Sequence, residues 1–576
     1  MTSGRLGARQ SKVNRMSAMY KQNTSVFRNE FAETIFNHKY RHEGAETWEE
    51  LANTLVDDVC GSVLPQSEVD QLKWMIATMR FIPGGRYLYY AGRPAKFFNN
   101  CYLLRAEEDT REEWSALANR SMSCLMSGGG IGIDYSVLRE KGAPLKRTGG
   151  TASGPIDLMQ AINEIGRRVM QGGSRRSAIY ASLNWQHPDI QDFLRAKDWK
   201  SMPVAGTDKT VADLKEADFN YHAPLDMTNI SVNWDTKFLE DYWRTGELPE
   251  VFYDNTRQAL SSAEPGFSFN FFENERETLR NACTEVTSED DSDVCNLGSL
   301  NMSRIEDIAE FRQCVELSTK FLLCGTLKAQ LPYDKVYETR TKNRRLGLGL
   351  MGMHEWLLQR GQRYEVTEEM HRWLHVYKSV SDHVAAKSAD EMGISRPVKV
   401  RAIAPTGSIG ILAATTTGIE PLFAVAYKRR YLKGGSKWVY QYVVDSAAQE
   451  VIDRYDIKPE NIESALDLSG DYERRIAFQA DVQDYVDMSI SSTINLPSWG
   501  SKENNEDTVR PFADTLAKYM HRLRGFTCYP DGSRGGQPLV SVDYNEAKDK
   551  LGEEFDEALE THDICDITGH GGSCGV

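Results

Sequence analysis

Residues 281–285 read NACTE, so an amide, a thiol and a carboxylate recur at every second position. In an extended segment alternate side chains share a face, which would aim Asn281, Cys283 and Glu285 into one pocket. Together they offer a hydrogen-bonding amide, a thiol able to transfer hydrogen, and a proton acceptor. A second cysteine, Cys295, follows the acidic residues Glu289, Asp290, Asp291 and Asp293, which read as a solvated turn. A plain surface loop is the alternative for the whole stretch.

Three other segments invite a chemical reading. PVKVRAIAPTGSIG alternates Val398, Val400, Ala402 and Ala404 as a strand does, then breaks into Pro405, Thr406, Gly407 and Ser408. Small hydroxyl and glycine residues at a strand end expose backbone donors, so phosphate is the expected ligand, with an ordinary turn as the alternative. Gly347, Gly349 and Gly352 match the dinucleotide fingerprint in spacing, with Glu368 and Glu369 downstream, but ETRTKNRR before them is not a strand. A close-packed helix using its glycines is the better account. Near the C-terminus, His562, Cys565, His570 and Cys574 resemble a zinc-knuckle spacing, against which stand surrounding glycines and no stacking aromatics; a mobile redox pair is the alternative.

These groups need a scaffold, and the chain is long enough for one. Its 576 residues are 40% hydrophobic and 26% charged, the balance of a globular protein. A net charge of −15 argues against stable nucleic-acid binding. No long apolar run suggests an export signal or membrane anchor, which places the protein in the cytoplasm. Its ten cysteines are therefore expected as thiols. Cys314 and Cys324, in apolar FRQCVELSTKFLLCG, read as buried small hydrophobes.

Residues 1–80 read as a mostly helical cap, with Trp48, Leu51, Leu55 and Val59 forming a helical stripe. From Phe81, glycine-rich turns alternate with short apolar runs and helices, the pattern of an α/β domain. A helix is expected from Pro155, with Leu158, Ile162, Ile165 and Val169 on one face and Gly172-Gly173 closing it. After Tyr544 the chain is strongly charged, with Leu551, Phe555 and Leu559 at helical spacing, and residues 546–576 read as a flexible arm.

Taken in order, these segments resemble the large catalytic subunit of ribonucleotide reductases. The resemblance lies in FFNNCYLL, LMSGGGIGIDYSVLREKGAP, QGGSRRSAIYASLNWQHPDIQDFL, NACTE, CNLGSLN, KNRRLGLGLMG, APTGSIGILAATTTGIEPLF, SSTINLP and DGSRGG. It runs from about Phe81 to Leu539 and implies a ten-stranded α/β barrel with a central finger loop, spanning residues 81–545. It further implies that Cys283 acts as a thiyl radical on the 3′ hydrogen of a ribonucleotide. Sulfur suits this because S–H and activated C–H bonds are similar in strength. Glu285 would accept the 3′-hydroxyl proton, Asn281 would hold the sugar, and Cys101 and Cys295 would supply two electrons by forming a disulfide. Their Cα atoms must then lie within about 7 Å.

By the same resemblance, Asn100, Gly130 and the run Pro405, Thr406, Gly407, Ser408 and Ile409 would bind the substrate's sugar and phosphates, whether diphosphate or triphosphate. Cys565 and Cys574 would carry electrons from thioredoxin or glutaredoxin. A deoxynucleotide effector would sit near Glu108, Asp109, Arg139 and Lys146. No ATP-cone pattern is recognisable in residues 1–80, and monomer and homodimer remain equal expectations. The family divides by radical source. GFTCYPDGSRGG holds one tyrosine beside Cys528 where a subunit-dependent relay uses a pair, and GHGGSCGV does not resemble a glycyl-radical motif. The pattern looks most like the adenosylcobalamin-dependent class. No Asp-x-His-x-x-Gly motif is present, so the cofactor is expected to keep its own base or to bind only adjacent to the barrel.

Overall fold

The computed structural model describes residues 26–169, 177–218, 221–433, 437–533 and 539–560. Three helices open the described chain: α1 (Glu30–Lys39), α2 (Trp48–Cys60) and α3 (Gln66–Ala77). Thr47 caps α2 in a reciprocal capping box with Glu50. Trp48, Leu51, Leu55 and Val59 are all buried, as their spacing predicts. These helices pack against the outside of the barrel as part of one large apolar cluster.

The strands follow as β1 (Phe81–Pro83), β2 (Cys101–Arg105) and β3 (Gly130–Asp134). Helix α4 (Pro155–Arg168) starts on Pro155 as expected, and its last described neighbour, Val169, is already extended. Then come β4 (Ile179–Asn184), β5 (Thr228–Asp235) and β6 (Gly266–Asn270). A short hairpin, β7 (Leu279–Arg280) and β8 (Thr287–Ser288), precedes the long strand β9 (Asp293–Asn301). Beyond it lie α5 (Ile308–Lys328), α6 (Asp334–Asn343), β10 (Leu346–Met351) and α7 (Gly407–Ala413). The remaining strands are β11 (Ala426–Lys433), β12 (Lys437–Val444), β13 (Thr493–Leu496), β14 (Gly525–Pro530), β15 (Leu539–Ser541) and β16 (Glu554–Glu560), with α8 (Tyr544–Asp549) before the last.

A ten-stranded sheet runs β1-β9-β2-β3-β4-β5-β6-β14-β13, with β10 on the other side of β9. Strands β2 to β6 are parallel to one another. Strands β9, β10, β13 and β14 belong to a second parallel set, and the sets meet antiparallel at β2/β9 and β6/β14. The extended segment 399–404 closes the ring. It bridges β10 through Leu348 and Arg401, and the chain before β13 through Ile403 and Ile490, both in parallel sense. Two half-barrels, each parallel within itself as buried sheets are, therefore enclose one lumen. The helices cover the outside, and a smaller cluster that includes Cys101, Cys295, Ala402, Ala404 and Met488 fills the inside.

Several expectations change here. Gly347 and Gly349 lie in the buried strand β10 rather than in a helix, and Gly352 follows it as the N-cap of the helix Met353–Leu358. A Cβ on Gly347 would sit 3.1 Å from Cys295 Sγ and one on Gly349 2.7 Å from Ala402 O, so neighbouring chains occupy that space. The helical reading of Leu551, Phe555 and Leu559 also fails. Helix α8 ends at Asp549, and β16 pairs with β12 in a separate sheet ordered β15-β11-β12-β16. Strand pairing thus takes residues out to Glu560, beyond the point where a flexible arm was expected to begin. Cys314 and Cys324 are buried in α5 as anticipated. Among the described residues, no helix is long and apolar enough to cross a membrane.

Candidate active site

The site is built where the half-barrels meet. Cys101 opens β2, Cys295 lies in β9, and the antiparallel register makes them direct partners. Partners in such a pair have Cα atoms about 4.5 to 5.5 Å apart, inside the range a disulfide requires. Both are buried thiols. Burial raises the pKa of each, and the carboxylate of Glu285 raises it further.

Between β7 and β8 the chain forms a tight loop that enters the lumen as a finger. It is a turn, not the extended segment its alternation suggested: Thr284 N donates to Asn281 O at 3.0 Å, and Thr284 has φ +69°. Asn281 shapes the loop by accepting from Val286 N at 2.9 Å with its Oδ1. Its Nδ2 then donates to Cys101 Sγ at 3.0 Å. The Cys101 thiol is 3.8 Å from Glu285 Oε1, while Glu285 Oε2 is buried without a protein partner. Cys283 is 4% exposed, and burial together with Glu285 pushes its thiol pKa well up. Burial likewise raises Glu285 from an ordinary 4.5 to about 7, an effect partly offset by Asn281.

Two glycines of β3 admit the finger. A Cβ on Gly132 would stand 1.7 Å from Arg280 O, and one on Gly130 would stand 2.9 Å from the Ala282 side chain. Gly132 was not singled out from sequence, although glycines two apart in a strand are the signature of another backbone lying close. Gly130 therefore serves the loop as well as bordering the thiols, since it pairs with Cys101. The wall opposite is made by Ser489, whose N–H holds Glu285 O at 2.9 Å.

The remaining site residues distribute as follows. Asn100 precedes Cys101, and both ends of its amide are buried without a protein partner. Segment 399–404 ends beside the thiols at Ala404 and runs directly into Pro405. Thr406, at φ +54°, starts α7, and its Oγ1 accepts from Gly418 N at 2.8 Å. The first helical bond is Gly410 N to Thr406 O, which leaves the N–H groups of Gly407, Ser408 and Ile409 at the open start of the helix. Ser408 Oγ also accepts from Lys39 Nζ at 3.4 Å. Cys101 and Gly130 begin strands of one half, and Pro405 follows a strand-like segment of the oppositely directed half. Asn100, Gly130 and residues 405–409 therefore lie toward one end of the barrel.

Arg139 is paired with Asp109, donating to its carboxylate and, at 3.0 Å, to its carbonyl; Glu108 and Lys146 are exposed. His562, Cys565, His570 and Cys574 lie outside the described residues. The acidic stretch is not a solvated turn. Asp291 and Asp293 are buried, Asp291 accepting from Lys335 at 2.6 Å and Asp293 from Arg345 at 2.6 Å and Asn343 at 2.9 Å. Lys342 pairs with Asp290 at 2.9 Å. These cations arrive with α6 and the turn after it, some 50 positions downstream, which local reading does not connect to the acids.

The chain matches the family model described as ribonucleotide reductase, barrel domain, over residues 99–399 and 391–529. It is 26% identical over 531 residues to the vitamin B12-dependent ribonucleoside-diphosphate reductase of Mycobacterium tuberculosis, covering 81% of this chain and 72% of that protein. A protein of the same name from Thermoplasma acidophilum is 26% identical over 525 residues, covering 82% and 66%. The vitamin B12-dependent ribonucleotide reductase of Streptomyces coelicolor is 24% identical over 582 residues, covering 80% and 59%. With a closed barrel around a thiol-bearing finger and a family match spanning most of its length, the chain belongs to the ribonucleotide reductases.

Proposed function

We propose that this chain reduces ribonucleotides to 2′-deoxyribonucleotides by thiyl-radical chemistry with adenosylcobalamin as the radical source. The observation that carries the reading is the convergence of a cross-strand thiol pair, Cys101 and Cys295, with a finger presenting Asn281, Cys283 and Glu285.

Cys283, as a thiyl radical, takes the hydrogen from C3′ of the ribose. Glu285 accepts the proton of the 3′-hydroxyl, a role suited to a carboxylate whose pKa lies near neutrality. The C2′–O bond breaks and the hydroxyl leaves as water. Cys101 and Cys295 provide two hydrogens and two electrons, one hydrogen going to water and one to C2′, and finish as a disulfide. Cys283 then returns its hydrogen to C3′ and Glu285 returns its proton to the 3′ oxygen, so that both are restored. Asn281, by donating to Cys101, keeps that thiol beside the sugar. Asn100 offers an unpartnered buried amide to the hydroxyls, and residues 405–409 offer the open helix start to the phosphates.

The residues beside the thiols also fit a ribose-bearing cofactor. Ser489 has a buried hydroxyl without a partner, and its N–H holds the finger at Glu285, so its hydroxyl would be free to hydrogen-bond the adenosyl group. When bound, adenosylcobalamin supplies a radical from its weak Co–C bond. Cys565 and Cys574 are the proposed exchange thiols for thioredoxin or glutaredoxin. A deoxynucleotide effector near Asp109 and Arg139 is part of the same reading. Family membership and the thiol site both speak against a zinc-knuckle protein with an inert barrel.

Incubating the purified chain with a ribonucleotide, adenosylcobalamin and dithiothreitol tests the reading. Deoxynucleotide formation without a second protein is expected. Product that appears only with a separate radical-generating subunit would refute the cobalamin assignment, and turnover by Cys283→Ser would refute the thiyl mechanism.

A further inference from the structure

Arg280 lies at the base of the finger, three positions before Cys283, and its long side chain is fully buried. A buried guanidinium ordinarily faces a carboxylate, because an isolated charge in a poorly polarisable interior is costly. Here its hydrogen-bond partners are neutral. They are Leu279 O at 3.1 Å, Arg524 O at 3.2 Å, Phe269 O at 3.4 Å and Asn270 Oδ1 at 2.5 Å. Burial lowers its pKa to about 10, so it stays charged at neutral pH.

Two carboxylates favour its charge across space, Glu277 more strongly than Asp134, and Asp134 is also linked to it through two amides. Asn270 Nδ2 donates to Asn233 Oδ1 at 3.2 Å, and Asn233 Nδ2 donates to Asp134 Oδ1 at 3.2 Å and to Ser182 Oγ at 3.0 Å. The other oxygen of Asp134 accepts from Thr278 Oγ1, which returns the chain of bonds to the finger. Both amides point their donors toward Asp134, so each bond polarises the next. The network crosses β6, β5 and β3 at the ends where the finger enters. The carbonyl of Arg280 packs onto Gly132, two residues before Asp134 in β3. The loop is thus held through its Arg280 side chain by a polar network and fitted through its backbone into a glycine gap, next to the β6/β14 junction of the two half-barrels.

We propose that Arg280, Asn270, Asn233, Asp134 and Thr278 form a positioning device that sets how deeply Cys283 sits in the lumen, and hence the distance over which hydrogen passes between its sulfur and the substrate. None of the five touches the reacting atoms. The inference rests on the thiyl role of Cys283. Hydrogen transfer tolerates little misplacement, and a displacement of about 1 Å costs about 100-fold in rate. Substrate affinity is set elsewhere, by Asn100 and residues 405–409.

Two variants of the full chain test this: Arg280→Lys, which keeps the charge and loses the planar fork, and Asp134→Asn, which removes the distant charge and leaves Arg280 in place. Each is expected to lower kcat about 100-fold with KM unchanged, and the double variant to be no worse than either, as for residues acting as a unit. Without cofactor, the rate at which iodoacetamide labels Cys283, read by mass spectrometry against Cys528 as an internal reference, is expected to rise about tenfold in each variant. Unchanged labelling, additive kcat losses, or an effect on KM alone would overturn the proposal. Failure of the wild-type chain to make deoxynucleotide would instead strike the functional reading, and the labelling ratio would still report whether the network holds the finger.

Discussion

Replacing Glu285 by glutamine isolates the electrostatics of the site, because the amide preserves the shape and removes the charge. Burial holds this carboxyl at about 7 instead of 4.5, so the folded protein keeps its proton over a range in which the unfolded chain has lost it. Below the unfolded value both states are protonated, and nothing is lost. As pH rises from about 4.5 to 7 the unfolded state releases its proton first, and native stability falls. Above about pH 7 the full penalty is present, roughly 3 kcal/mol from the difference between the two values. Glu285→Gln should therefore match the wild type in stability near pH 4.5 and exceed it by up to about 3 kcal/mol at pH 8. Its kcat should fall by about 100-fold to 10,000-fold. Wild-type turnover should climb through pH 7 as the carboxyl becomes a base, while residual activity in the variant stays level. Urea denaturation at pH 5 and 8, paired with deoxynucleotide assays over the same range, measures both effects. A stability difference independent of pH, or a variant with wild-type turnover, would refute the assignment of Glu285 as a buried base.

Three other perturbations probe different parts of the architecture. Gly132→Ala places a Cβ 1.7 Å from Arg280 O, so the finger must shift; activity should fall at least about 100-fold, and thermal denaturation should show a loss of a few kcal/mol. Mild oxidation of the reduced protein should yield, on peptide mapping, a Cys101–Cys295 crosslink, and its absence after exhaustive oxidation would contradict the strand register. Asp293→Asn leaves Arg345 buried beside a neutral partner and should cost about 3 to 5 kcal/mol in urea denaturation, whereas a loss below about 1 kcal/mol would show the pair to be dispensable.

Local signals located much of this protein. The stripe on α2, the proline start of α4 and the alternation of residues 398–404 were legible because each depends on neighbours within a turn or a strand. What escaped depends on partners distant in sequence. The acids at 290, 291 and 293 look solvated until α6 brings cations to them. Gly347 and Gly349 look helical or nucleotide-binding until β9 and segment 399–404 fill the space their missing side chains leave. The NACTE alternation implied the wrong geometry, since the loop is a turn whose groups converge through Asn281. Arg280 gave no warning of its role, because the network it joins runs through two asparagines to Asp134, more than 140 positions upstream.

The finger is also the stretch of chain that joins the two half-barrels, and this constrains the order of assembly. Strands β2 to β6 can pair with one another soon after synthesis, but the ring cannot close on β6 until β14 is made at residue 530. The thiols thus gain their common enclosure late, after most of the scaffold exists, and a nascent chain stalled short of that point holds reactive cysteines without the shelter that makes them selective.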